Sequence, residues 1–168
     1  MTKPTESETL ELLSSFTGER MASVRLIMYV YHGEIHGEDT WPEFVAENNR
    51  VLRLRDEDGG ERLAGYSTLW EDPLANSSEA NRKYVEEYGK YTRFDVSHSA
   101  PYEQIVGRRL RCFVPLYNAF TIFAGVELQF AEHWLTVYAA ADETWVRWGL
   151  IPEKLDVMEW TRGTPVTG

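Results

Sequence analysis

One carboxylate set in an apolar, aromatic stripe and one histidine of matching parity are the side chains in this sequence best placed to do chemistry. From Val126 to Tyr138 the even positions read Val126, Leu128, Phe130, Glu132, Trp134, Thr136 and Tyr138, and the odd ones Glu127, Gln129, Ala131, His133, Leu135 and Val137. A period of two puts each set on its own face of a strand. As one arm of a long hairpin that turns near Asp142 and returns to Gly149, the stretch leaves Glu132 among apolar neighbours, where burial would raise its proton affinity. His98 shares the parity of Phe94 and Val96, so it is expected to point inward with Glu132. A histidine and a carboxylate in an apolar cleft can shift each other toward neutrality, as general acid–base catalysis needs. The same pair, buried and hydrogen-bonded, could equally do no more than satisfy two polar groups in a core.

The remaining candidates offer less. His32 and His36 stand four apart around Glu34, without the HExxH arrangement or an evident third ligand, and read as loop residues. Cys112 falls on the apolar side of its strand with no partner for a nucleophilic thiol, so it is expected to be buried and inert. Asp56, Glu57 and Asp58 lack the spacing of a calcium loop and read as a solvated turn. No glycine-rich phosphate loop or nucleophile elbow is present, and no cofactor is implied. Tyr31, Trp134 and Tyr138 are core aromatics or, if a cavity exists, its walls.

The elements that must hold these residues come from spacing and punctuation. Residues 1–7 read as a loose tail. Leu10, Leu13 and Phe16 predict a first helix that stops at Gly18. Met21, Val24, Met28, Tyr31 and Ile35 recur at helical spacing and favour a second helix, although VRLIMYVY is also rich in strand-forming residues. Thr40, Trp41 and Pro42 resemble the entry to a short helix reaching about Glu47. Val51–Leu54 and Leu63–Tyr66 flank Asp58-Gly59-Gly60 and predict a hairpin. After a break at Asp72-Pro73, Ser77 or Ser78 starts a polar helix that ends near Gly89. Strands follow from Thr92, interrupted at Ser99-Ala100-Pro101, with Gln104–Tyr117 as one strand and Pro115 marking an edge or bulge. Leu155, Met158 and Trp160 are expected to pack the tail back on the domain. Helices followed by antiparallel strands make the fold class α+β: N-terminal helices on a strongly curved antiparallel sheet enclosing a cavity, a cone or half-barrel, in one domain.

Composition narrows the partners. The 168 residues carry a formal net charge of −10, with 6 Trp and 9 Tyr. Such a surface repels nucleic acid, and Arg108, Arg109 and Arg111 are too small a basic cluster to reverse that. No apolar run approaches the roughly 20 residues of a membrane span. With a single cysteine and no signal-peptide pattern at the start, the chain reads as cytoplasmic.

The order of elements resembles the NTF2-like superfamily, which includes SnoaL-type cyclases, ketosteroid isomerases and scytalone dehydratases. The local likeness is to scytalone dehydratase, at Leu135, Tyr138, Asp142, Trp145 and Gly149-Leu150-x-Pro152, with weaker likenesses at Val114-Pro115 and before Trp41. The resemblance implies a cone with catalysis inside. His98 matches a pocket histidine, Glu132 and Trp134 fall where that family has polar pocket residues, and Tyr66 is placed as a water-binding tyrosine. The pattern is departed from at Leu116, where a second pocket histidine belongs, and at His36-Gly37, where a Tyr-Asp pair belongs.

The expectation is thus a cofactor-free lyase, isomerase or cyclase acting on a small apolar or aromatic molecule. His98 and Glu132 would be catalytic, with Tyr31, Tyr66, Cys112, Leu116, Trp134 and Tyr138 around the substrate. The alternative, from the charge, is an acidic inhibitor or immunity-type module that blocks a basic, nucleic-acid-binding protein. A cone without chemistry, assembling as a homo-oligomer through its sheet, is a third reading.

Overall fold

Thr5 starts the first helix, α1 (Glu6–Phe16), with a capping box. Its hydroxyl accepts the Glu8 N–H at 3.2 Å, while Glu8 Oε2 accepts the Thr5 N–H at 2.7 Å. The computed structural model describes residues 2–152, 154–155 and 158–168, with the backbone alone at 154, 155 and 158. The expected loose tail is tied down: Lys3 Nζ lies 2.9 Å from Glu57, and the Pro4 carbonyl accepts from Arg62 at 2.6 Å.

The two helices expected over 21–47 are instead a hairpin of β1 (Met21–Tyr31) and β2 (Glu34–Ala46). The β-branched and aromatic content of VRLIMYVY outweighs its helical spacing. His32-Gly33, both at positive φ (49° and 79°), forms the two-residue turn between Tyr31 and its partner Glu34. Pro42 is tolerated because β2 there pairs with β1 only; β3 joins at Glu43. The predicted hairpin is present as β3 (Val51–Glu57) and β4 (Arg62–Tyr66), and the polar helix as α2 (Glu79–Tyr88), capped by Ser78 and ended at Gly89. With β5 (Lys90–Asp95) these strands form a sheet in the order β4-β3-β2-β1-β5.

The second sheet contains β6 (Leu110–Tyr117), β7 (Phe123–Phe130), β8 (His133–Ala140) and β9 (Glu143–Trp148). The expected single strand over 126–138 is in fact two, joined by a tight turn at Ala131-Glu132, so that Phe130 pairs with His133. Parity reverses across that turn. Even residues of β7 and odd residues of β8 (Leu135, Val137) face the core, while Trp134, Thr136 and Tyr138 face outward. Similarly, the strand predicted from Gln104 begins only at Leu110, after a short 3-10 turn at Tyr102–Gln104.

The tail pairs along β6 as β12 (Thr161–Arg162) and β13 (Val166–Thr167), the described residues between β9 and β12 including a separate two-stranded ribbon, β10 (Lys154–Leu155) with β11 (Met158–Glu159). Pro115 sits in the gap between those two short strands, where Gly163 N–H reaches its carbonyl at 2.8 Å. The strand is therefore not an edge, since the tail covers it; Pro115 is accommodated because its missing N–H falls in the break between β12 and β13. Ile151 and Trp160 are buried against Leu116 and Tyr138, whereas the side chains of Leu155 and Met158 lie outside the described residues.

The architecture is α+β: two helices and two antiparallel sheets. The sheets face each other across one core, with Phe44 of the first and Phe130 of the second 5.6 Å apart between ring centres. Leu13 and Phe16 of α1 enter the same core. Neither sheet closes on itself, and side chains occupy the interval between them. Residues 18–21 exchange backbone hydrogen bonds with 107–110, stitching one corner of the sheets together. Among the described residues no helix is long and apolar enough to cross a membrane.

Candidate functional site

The residues expected to share a catalytic hollow are dispersed. Glu132 is at the tip of the β7–β8 turn with its side chain 76% exposed, 3.2 Å from the His133 ring nitrogen. Its own backbone N–H and then His133 hold its carboxyl below the usual value, the reverse of the shift expected for a buried acid. His98 is exposed in the turn after β5, because the strand ends at Asp95 and inward alternation ends with it. Tyr31 is at the β1–β2 hairpin tip, its ring against His32 and His36. Cys112, Leu116, Trp134 and Tyr138 do share a face, the outer one of the second sheet, but Ile151 and Trp160 cover its Leu116–Tyr138 end. Burial raises the Cys112 thiol, consistent with an inert group. No acid–base pair is assembled from these residues.

A different set converges on the outer face of the first sheet. Cross-strand register places Arg25, Ile27 and Tyr29 of β1 on the same face as Trp41 and Glu43 of β2, Arg53, Arg55 and Glu57 of β3, Tyr66 of β4, and Tyr91 and Arg93 of β5. This face is not left open. The connection 67–78 and then α2 cross it, so that Ile27 and Glu43 are wholly buried although they point away from the main core.

Glu43 holds that connection down. Its Oε2 accepts the Trp70 N–H at 2.7 Å, Arg93 Nε lies 3.0 Å from Oε1, and Arg25 approaches at 3.5 Å. Arg93 also donates to the Trp70 carbonyl, with its guanidinium over the Trp70 ring. Lys90 pins the next part through Asp72 at 2.7 Å. Burial pushes the Asp72 carboxyl up, but Lys90 and the Leu74 N–H outweigh it and hold the group below its ordinary value.

Between this strap, α2 and the sheet is a cleft of about 330 Å³, lined by Tyr29, Trp41, Arg55, Trp70, Lys90 and Tyr91 together with Asp72, Pro73, Leu74, Tyr84 and Gly89. Its floor is layered. Tyr91 stacks on Trp41 with ring centres 4.2 Å apart and planes inclined by 22°, and the Arg55 guanidinium lies 4.4 Å from the Trp41 ring. Asp39 orients these groups by accepting from Tyr91 Oη at 2.6 Å and Trp41 Nε1 at 3.1 Å. Burial first, then the Asp39 hydrogen bond, pushes the Tyr91 hydroxyl well above its ordinary value, so it is a fixed anchor and not a proton donor near neutrality. Asp39 Oδ1 also reaches across to the second sheet, where it accepts the Thr144 N–H at 2.8 Å. Thr144 Oγ1 in turn accepts the Asp56 N–H at 2.6 Å and donates to Asp56 Oδ1 at 2.8 Å. Burial raises the Asp56 carboxyl, the Thr144 bond opposing it.

Five aromatic side chains, two cations and one paired carboxylate suit a flat, electron-rich or negatively charged molecule. Among the described residues no group of three or more His, Cys, Asp or Glu side chains could hold a metal ion. The signal for this site was present in the sequence as alternation: Arg25-x-Ile27-x-Tyr29, Trp41-x-Glu43, Arg53-x-Arg55-x-Glu57 and Tyr91-x-Arg93-x-Asp95. It becomes legible only when 21–46 is read as strand. Comparison of the chain with protein-family models, curated proteins and solved structures gives no match.

Proposed function

We propose that the chain is a binding protein for a small planar aromatic molecule bearing negative charge, held in the cleft between the first sheet and its strap. The Tyr91–Trp41–Arg55 stack is the observation that carries this reading: an aromatic platform pre-organised by Asp39 and opening into a space of ligand size. Arg55 and Lys90 present the donors that a carboxylate group would meet, each now facing a carboxylate of the chain, Glu57 at 3.4 Å and Asp72 at 2.7 Å. The acid–base roles of His98 and Glu132 are not part of the reading, since the two are exposed in separate turns.

Calorimetric titration with aromatic carboxylates such as benzoate and indole-3-acetate tests it. Saturable binding that is lost in Trp41→Leu, with the circular dichroism spectrum retained, is expected. Absence of binding across such a panel, together with a salt-sensitive complex with a basic protein, would replace this reading by that of an acidic inhibitor module.

A further inference from the structure

Beside the cleft, one guanidinium on the outer face of the first sheet has no direct ion-pair partner among the described residues, Glu43 acting on it only through space. A single row crosses all five strands, Asp95–Arg25–Glu43–Arg53–Tyr66, each residue the register partner of the next. Arg53 is only 8% exposed, so more than nine-tenths of it is removed from water. Among the described residues it has no hydrogen-bond acceptor and no carboxylate within 4.0 Å, and its Nε is sealed from solvent without a partner. Its one specific contact is the Tyr66 ring, 4.6 Å from the guanidinium carbon. Glu43, its neighbour in the row, is engaged by Arg93, Arg25 and the Trp70 N–H. Tyr66 meets Arg53 with its ring, while its hydroxyl is turned to Glu57, to which it donates. Glu57 is itself held by Lys3 and Arg55. Arg25, Arg53 and Arg93 thus share one buried carboxylate.

An arginine so enclosed is ordinarily paired. A water could supply an acceptor to Nε, but no compensating charge.

We propose that Arg53 forms a binding site for a small oxyanion, a carboxylate or phosphate group whose paired oxygens meet the guanidinium fork. Arginine is the side chain suited to this, since its donors are planar and match two oxygens at once. The site lies one row along the sheet from Trp41 and stands whether or not the aromatic cleft takes a ligand.

The test is thermal melting of the full chain in chloride, acetate and inorganic phosphate at one ionic strength and pH 7. Acetate, phosphate or both should raise Tm over chloride with a saturable concentration dependence, and which of them does so identifies the oxyanion. Arg53→Met, which keeps an aliphatic stem beneath Tyr66, should abolish the dependence. Arg53→Lys should weaken it by about tenfold or more, as a charge-assisted hydrogen-bond pair is lost. Trp41→Leu should keep the anion dependence even where it loses aromatic ligands, which separates this site from the cleft. Equal melting in the three salts, or a dependence that survives Arg53→Met, overturns the proposal. If Arg53→Met does not fold, the Arg53 Nε–H resonance of the unmodified protein decides: a saturable shift with phosphate or acetate supports the site, and no shift with either overturns it.

Discussion

Removing Glu43 should do more damage than its position on an outer sheet face suggests. Its side chain is fully buried, and it compensates Arg93 at 3.0 Å and Arg25 at 3.5 Å while accepting the Trp70 N–H at 2.7 Å. Breaking a buried ion pair by deleting one partner costs about 3–5 kcal/mol, because the other charge is left enclosed. The two arginines are 27% and 30% exposed, so water can reach them and the lower half of that range applies. Glu43→Ala should therefore lose roughly 3–4 kcal/mol. At roughly 2–4 °C per kcal/mol for a chain of this size, Tm should fall by about 6–16 °C. Glu43→Gln keeps an acceptor for the Trp70 N–H and should recover about 1 kcal/mol of the loss. Sign provides the sharper test. If Glu43 is there to offset an excess of guanidinium charge, Arg53→Met should be less harmful, or even stabilising, in the Glu43→Gln background than in the unmodified protein. Urea unfolding of the two single variants and the double variant measures this coupling. A Glu43→Ala loss below about 1 kcal/mol, within the range of an exposed pair, would refute the electrostatic argument. Strict additivity in the double variant would refute it as well.

Three further outcomes follow from the same geometry. Asp72 has a folded pKa below its unfolded value, so its pairing with Lys90 contributes fully above the ordinary carboxylate range and is lost as pH falls through the depressed value. The stability this pair contributes should accordingly be constant from pH 7 to about 5 and fall below about pH 4, the fall being smaller in Lys90→Ala, as read by urea melts at each pH. Gly60→Ala should destabilise by at least about 2 kcal/mol in urea melts, since Gly60 is at φ 76° and an added Cβ would lie 2.4 Å from the Asp142 backbone nitrogen, in the facing β8–β9 turn. His98→Ala should change stability by no more than about 0.5 kcal/mol, as expected for an exposed turn residue, and a larger loss in the same melts would show that it makes contacts the fold does not reveal.

Much of the outline was legible because its signals are local. The spacing of Leu10, Leu13 and Phe16, the Asp58-Gly59-Gly60 turn, the Ser78 cap and the Gly89 stop each act within a few residues, and each element appears where those signals put it. Where the reading failed, two local preferences competed. Met21 to Ile35 keeps helical spacing by coincidence with strand-forming residues, and pairing β1 with both β2 and β5 is a long-range gain that spacing does not register. Ala131-Glu132 lacks the Asn or Gly that announces a two-residue turn, although Ala131 adopts φ 56° there. Missing that turn carried the wrong parity past residue 132, which is why Glu132 and Tyr138 were expected inside. The candidate site suffered for the same reason. Its residues come from four strands and a strap, and only the register brings Arg53, Glu43 and Arg25 into one row.

Aromatic ligands are proposed to enter between the first sheet and its strap, and the tryptophans report on that directly. The chain has six, of which Trp41 and Trp70 line the cleft, while Trp145 and Trp160 pack around Tyr138 on the opposite sheet. Indole Nε1–H resonances should be followed in a nitrogen–proton correlation spectrum as indole-3-acetate or benzoate is titrated in. Saturable shifts of the Trp41 and Trp70 signals are expected, with the Trp145 and Trp160 signals unmoved. Shifts confined to Trp145 and Trp160, or no shift in any of the six, would contradict it.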